Sequence, residues 1–225
     1  MTNWNYLVFK FIFRDLRPSR IALWILLLNE LSKINGKKVL DAASASFYTR
    51  PFYKHVKYVG IDNDKERVAE GVKHYKDKDG ETFGVIADLK NYNFMDNCFD
   101  ICVSTNTLYK FNIKDRIEII NKLVGYISEG GHFLVQIPID DSYLNIISIL
   151  KKRFSKIKIR FHKNRLSKFI ETKFVEKEGW ATENAFNRSI IFMMIKWMMV
   201  LYELVTSRSK KTKCNAFIIC HKKKA

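Results

Sequence analysis

The chain has 225 residues, is 47% hydrophobic and 14% aromatic, and carries a formal charge of +17, with 40 Lys and Arg against 23 Asp and Glu. That length and apolar content exclude a disordered or collagen-like polypeptide and suffice for one α/β domain with its own core. The charge is unevenly placed: up to Leu150 there are 20 basic and 18 acidic residues, and from Lys151 onward 20 and 5. An acidic partner, whether nucleic acid, anionic lipid or a phosphorylated or glycan-linked substrate, is therefore expected at the C-terminal third.

Trp4 to Leu16 mixes aromatic and aliphatic residues with Lys10 and Arg14. No small-residue cleavage site follows it, so no signal peptide is expected. Ile21 to Leu31, "IALWILLLNEL", predicts an apolar helix entered through Pro18 and Ser19 and stopped at Gly36. Residues 1–36 are thus expected as an N-terminal helical segment and 37–225 as the main domain.

A strand–helix alternation then begins. Strands are expected at Lys38 to Asp41, Lys57 to Asp62, Phe83 to Asp88, Phe99 to Ser104 and His132 to Ile137, the last entered through "EGG". Helices are expected at Asp64 to Lys76 and at Ile113 to Ile127, where Ile113, Ile117, Ile120, Val124 and Ile127 share a face. Buried strands alternating with helices imply a parallel sheet covered on both sides. Asp140 and Asp141 can cap a further helix, "SYLNIISILKKRF". Ser155 to Lys163 alternates apolar and basic residues as an edge strand does, and Cys214 to His221 is a seventh strand. About fifty residues lie between those two strands, too many for a hairpin, so a helical insertion is expected at about 164–213.

Cys98, Cys102, Cys214 and Cys220 form no Cys-x-x-Cys pair, which favours a reduced, cytoplasmic setting. Nothing completes a metal site around Cys214, Cys220 and His221, and no metal is expected.

The stretch "KVLDAASASFYTR", Lys38 to Arg50, follows a buried strand with an aspartate and very small residues. A nucleotide-cofactor loop has this shape, because backbone N–H groups must approach the ligand and a Cβ obstructs them. Its glycine positions hold Ala43, Ala45 and Phe47. Asp41 ends the first strand, Asp62 the second, 21 residues on, and Asp88 the third. A carboxylate at Asp62 can accept both hydroxyls of a ribose. Three carboxylates then line one edge of the sheet.

Over roughly Lys37 to Pro138 this pattern resembles the class I S-adenosylmethionine-dependent methyltransferases, especially their small-molecule and sugar-type branch. "VLDAASASFY" looks like the first motif, "YVGIDND" like the second, and "ADLKNYNFMDNCFDICVSTNTLYKF" like the third and fourth; "ISEGGHFLVQIP" is similar to the glycine turn and fifth strand. The resemblance implies a Rossmann-like, seven-stranded, mostly parallel α/β sheet with helices on both faces and an antiparallel last strand. It implies S-adenosylmethionine as cofactor. Asp41, Ala43 and Ala45 would line its methionine end, Asp62 and Asn63 its ribose, and Asp88 and Leu89 its adenine. Ser104 would close the site. Lys110 stands where many members carry a histidine.

Methyl transfer needs donor and acceptor aligned and, for a hydroxyl acceptor, a base. Tyr109, His132, Asp140 and Asp141 all lie near the expected edge, and the sequence does not choose among them. The only prolines are Pro18, Pro51 and Pro138, which excludes an Asn/Asp-Pro-Pro-aromatic motif and a Pro-Cys nucleophile. A small-molecule or lipid/glycan-precursor acceptor is therefore the leading expectation. A catalytically inactive binding protein with a basic surface and an RNA ribose methyltransferase are the alternatives.

Ala185 to Val205 adds a clue. As a helix it would place Arg188, Lys196 and Glu203 on one narrow stripe, with the rest apolar. No 18-residue apolar run exists, so a spanning helix is not expected. Residues 185–213 with 1–20 are expected either to pack against the domain or in a dimer, or to meet an anionic membrane surface, which would make the protein peripheral.

Overall fold

The computed structural model describes residues 14–76, 80–177 and 180–223. The chain divides into two compact units, one of Met1–Glu30 with Ile159–Phe217, the other of Leu31–Lys158 with Ile218–Ala225. Among the described residues, seven strands form one sheet and two more a separate hairpin. In chain order the elements are α1 (Pro18–Leu31), β1 (Lys38–Ala42), β2 (Lys57–Asp62), α2 (Lys65–Tyr75), β3 (Thr82–Ile86), β4 (Phe99–Ser104), α3 (Ile113–Gly125), β5 (Ile127–Pro138), α4 (Tyr143–Arg153) and β6 (Lys156–Asn164). After them come α5 (Arg165–Ile170), β7 (Glu176–Lys177), β8 (Trp180–Ala181), α6 (Ile190–Val205) and β9 (Lys213–His221).

The sheet order is β3-β2-β1-β4-β5-β9-β6. The pairs from β3 through β5 are parallel. β9 runs against β6: Ser155 N–H donates to the His221 carbonyl and Arg165 N–H to that of Thr212, so one partner number falls as the other rises. This is the mostly parallel, Rossmann-like sheet that the sequence predicts, antiparallel at its end.

In the second unit the central strands read as apolar runs because both faces are covered; Val39, Leu40, Ile61, Cys102, Val103 and Leu134 are fully buried. Helices α2 and α3 start with a side-chain cap, whereas α4 starts after Ser142 with no side-chain cap bond, although Asp140 and Asp141 were expected to cap it. The Asp64 carboxylate accepts from Arg67 N–H at the start of α2, and the Asn112 side-chain oxygen from Asp115 N–H at the start of α3.

Three expected details differ. The α3 helix stops at Gly125 and buries Arg116, Ile119, Ile120, Leu123 and Val124, leaving Ile113 exposed. Ile127 opens β5 instead, because "EGG" lies inside that strand: a Cβ on Gly131 would come within 2.9 Å of the Asp100 carbonyl. β3 ends at Ile86, not Asp88. It is an edge strand with Phe83 and Ile86 exposed, whereas the sequence alone suggested burial.

Two crossovers carry no α-helix. Residues 43–56, between β1 and β2, hold turns and one 3-10 turn, Arg50–Phe52; residues 87–98, between β3 and β4, are coil and turns. Parallel strands usually connect through a helix, and this departure shapes the site.

In the first unit α1 opens with Pro18 at a position where a missing N–H does no harm. Ile21, Ala22, Leu23, Trp24 and Leu27 are all buried. Ser19 N–H donates to the buried Glu171 carboxylate at 2.7 Å, a negative charge at a helix start. Between β6 and β9 lie α5, a π-turn at Glu171–Val175, the β7–β8 hairpin and α6.

Candidate functional site

The loop after β1 keeps the backbone of a glycine motif without its glycines. Ala43, Ala45 and Phe47 all have positive φ, at 63°, 48° and 61°. Non-glycine residues are uncommon there, and each such placement costs on the order of 1–2 kcal/mol. The loop is strapped to β2, which offsets that strain. Ser44 N–H donates to the Ile61 carbonyl at 3.0 Å, and Ala45 N–H donates to Asp62 Oδ2 at 2.8 Å.

Asp62 is the hub of the site. Its Oδ2 takes the Ala45 amide, its Oδ1 accepts from Asp64 N–H at 3.0 Å, and its carbonyl accepts from Ala87 N–H at 3.1 Å. One residue thus fixes the cofactor-type loop, the start of α2 and the exit of β3. A carboxylate oxygen has more than one lone pair, so these bonds leave room for a donor from a ligand. Asn63 beside it is exposed.

Phe47 does not occupy the hollow above the strand ends. Its ring is fully buried against Tyr58, at 5.4 Å between centroids. A Cβ on Gly60, Gly71 or Gly84 would come within 2.3, 2.6 or 3.4 Å of it. Those glycines belong to β2, α2 and β3, so the ring runs down the sheet face, under α2. In a cofactor loop the third glycine normally lets a helix approach the sheet closely. Here the crossover has no such helix, and the aromatic ring fills the space that it leaves.

Asp41 is turned inward. It is 2% exposed, and its Oδ2 accepts from Thr49 Oγ1 at 2.5 Å and from the Tyr58 hydroxyl. Burial pushes its pKa up to about 6 although both hydroxyls act to lower it. Ala43 and Ala45 lie at the open edge, partly exposed. Asp88 is exposed two residues past β3, with Oδ1 accepting from Lys90 N–H at 2.7 Å, and Leu89 is buried. Ser104 closes β4 with a fully buried hydroxyl that has no hydrogen-bond partner among the described residues; the Ser44 hydroxyl is in the same condition. The Ser44 hydroxyl lies beside the Phe47 ring at Gly60, whereas that of Ser104 stands at the end of a strand next to the loop. The structure therefore gathers Ala43, Ala45, Asp62, Asn63 and Ser104 at the carboxyl edge, with Asp88 and Leu89 just beyond β3 and Asp41 beneath.

The four expected bases separate. His132 lies within β5 opposite Ile101, three residues short of the strand level that pairs with Ser104, and stacks on His221 at 4.6 Å. Burial, with help from the His221 charge, pulls its pKa down to about 4. Asp140 is engaged: Arg116 donates to it at 2.6 Å and Ser142 Oγ at 2.5 Å. Burial acts to raise its pKa, but those bonds win and hold it below the ordinary value. Tyr109 and Asp141 remain exposed.

Sequence reasoning passed over Arg116, which is 4% exposed. It donates to the carbonyls of Leu108 and Phe111, to Asp140 and to Ser142, and so clamps the loop after β4 to the loop after β5. A charged residue on the otherwise apolar inner face of the helix was the available signal. Gln136 acts likewise, accepting from Asn106 N–H at 2.6 Å. All four cysteines are free, and no cluster of three or more His, Cys, Asp or Glu suited to a metal occurs among the described residues.

A family profile described as a methyltransferase domain matches residues 40–135. No curated protein matches the chain. Among solved structures it is similar to the N-methyltransferase NodS from Bradyrhizobium japonicum WM9 in complex with S-adenosyl-L-homocysteine, at 13% identity and TM-score 0.54, covering 87% of this chain and 84% of that one. It is similar also to the MccD protein, at 17% identity and TM-score 0.54, covering 87% and 96%, and to the [4+2]-cyclase SpnF, at 12% identity and TM-score 0.59, covering 91% and 82%. Residues 40–135 thus match a methyltransferase-domain profile, and the chain shares the fold of these solved structures.

Proposed function

We propose that this protein is an S-adenosylmethionine-dependent methyltransferase acting on a small-molecule or lipid- or glycan-precursor acceptor. The observation that carries the reading is the loop from Ala43 to Phe47. It keeps positive φ at all three glycine positions and docks the Ala45 amide on Asp62, while Phe47 turns away into the core. NodS supports the cofactor, since its structure holds S-adenosylhomocysteine.

In this reading Asp62 would accept the ribose hydroxyls, Ala43 and Ala45 would line the methionine part, and Leu89 with Asp88 would meet the adenine. The cofactor would supply an electrophilic methyl group on a sulfonium. The residues of the chain need only align an acceptor with it and keep water out. Arg116 contributes by holding two loops of the carboxyl edge together. For an acceptor that must lose a proton, Tyr109 and Asp141 are the exposed candidates at that edge.

Calorimetry with S-adenosylhomocysteine tests the reading. Binding is expected, weakened about ten- to a hundredfold by Asp62→Ala, since hydrogen bonds to a charged acceptor are worth about 1.5–3 kcal/mol. A folded protein that takes up no ligand would leave a scaffold without the enzyme.

A further inference from the structure

Helix α6 has its polarity reversed. Its charged residues are Lys196 and Glu203, at 1% and 0% exposure. Glu203 accepts from the Asn164 main-chain and side-chain N–H groups at 2.7 and 2.8 Å and pairs with Lys213 at 2.7 Å. The Lys213 ammonium also donates to Thr206 Oγ1 at 2.8 Å. The Lys196 ammonium reaches the Asp15 carbonyl at 3.4 Å. The side of the helix that carries Lys196 and Glu203 is thus the docked one.

The opposite side is bare and apolar. Ile190, Ile191, Met194, Met198, Leu201 and Val205 are 61–79% exposed. At 3.6 residues per turn these six positions fall within an arc of about 100°. Tyr202 borders them at 47% exposure, and no charged side chain lies among them. A surface helix of a water-soluble domain normally shows water its polar face. An uninterrupted apolar stripe in its place marks a surface that meets something else.

Length and charge identify what it meets. The stretch Ile190–Arg208 is long and apolar enough to cross a membrane by composition. Crossing, however, would strip Glu203 of Asn164 and Lys213 and carry two ionisable side chains into hydrocarbon. The 16 residues of α6 extend roughly 24 Å, short of a ~30 Å hydrocarbon core. The stripe therefore suits the plane of an interface. Exposed cations stand at both ends, Arg188 before it and Arg208, Lys210 and Lys211 after it. Anionic headgroups complement them, whereas a second copy of a chain carrying +17 would bring like charges together.

We propose that the outer face of α6 docks in the plane of an anionic lipid bilayer, making the protein peripheral to a membrane. This goes beyond the catalytic reading and does not depend on it. The test is flotation of the full chain with phosphatidylcholine vesicles with and without phosphatidylglycerol. Recovery is expected with the anionic vesicles only. Met194→Glu/Met198→Glu should abolish it, and Lys210→Glu/Lys211→Glu should weaken it by an order of magnitude or more, at about 1 kcal/mol per basic residue near the surface. Both variants alter exposed side chains, so their melting temperatures and S-adenosylhomocysteine affinities should match the parent protein. Equal recovery of parent and Met194→Glu/Met198→Glu would overturn the proposal, as would equal recovery on neutral vesicles. A parent dimer that this double variant converts to monomer, without vesicle binding, would assign the stripe to a second copy. Binding that begins only after deletion of residues 2–13 would assign it to the N-terminal segment of the chain, which lies outside the described residues, and would overturn the proposal likewise.

Discussion

The ring of Phe47 lies against the backbone of Gly71, so closely that a Cβ on the glycine would come within 2.6 Å of its Cγ. The two residues are coupled in sequence choice. The bulky side chain at the third position of the loop is accommodated because α2 and the two strands beside it present glycine there. Gly71→Ala would ordinarily stabilise a helix, by up to about 1 kcal/mol. Here it should destabilise by about 1–3 kcal/mol through overpacking. In a Phe47→Ala background, itself weakened by about 3–5 kcal/mol, the same change should become neutral or favourable. Urea unfolding of the four proteins measures the cycle. A Gly71→Ala effect of one sign in both backgrounds would refute the coupling.

The positive φ at Ala43 and Ala45 has the opposite consequence. Glycine adopts that conformation without a Cβ penalty, at the cost of extra freedom in the unfolded chain. Ala45→Gly should therefore raise stability by about 0.5–1 kcal/mol. Ala42→Gly, one residue before the loop in a buried strand, should lower it by a similar amount. Denaturation midpoints separate the two. Because the change only removes a Cβ at the edge where the cofactor is expected, S-adenosylhomocysteine should bind Ala45→Gly at least as tightly as the parent protein. Destabilisation by Ala45→Gly would mean that this backbone is unstrained.

How far these features were legible in the sequence depends on distance along the chain. The succession of strands along the chain and the carboxyl edge followed from local patterns: apolar runs, acidic strand ends, and the spacing of Asp41 and Asp62. The direction of the Phe47 ring did not, because it is set by Gly60, Gly71 and Gly84, up to 37 residues away. The fate of Asp41 depended in the same way on Thr49 and Tyr58. For α6 the periodicity located the stripe of Lys196 and Glu203 correctly but could not say which side faced the core. An ion pair with Lys213 and hydrogen bonds from Asn164 decide that, and both lie outside the helix. Local propensity locates elements, while partners distant in sequence decide which way they face.

Asp41 gives the chain a distinctive pH dependence. Burial raises its pKa from the ordinary 3.8 to about 6 in the folded state. Between those two values the folded protein binds more protons than the unfolded one, so this group favours folding at low pH, and that stability is lost as pH rises through 6. A shift of this size corresponds to about 3 kcal/mol. His132 acts in the reverse sense. Its pKa falls from 6.5 to about 4, so its contribution is present above pH 6.5 and lost as pH falls toward 4. Asp41→Asn removes the buried charge while keeping an oxygen to accept from Thr49 and Tyr58. At pH 7.5 the variant should be at least as stable as the parent protein. The difference should shrink or reverse near pH 4.5, where the native carboxyl is protonated. Parallel stability curves for the two proteins from pH 4.5 to 7.5 would show that Asp41 is charged throughout, and that the hydroxyls of Thr49 and Tyr58 outweigh its burial.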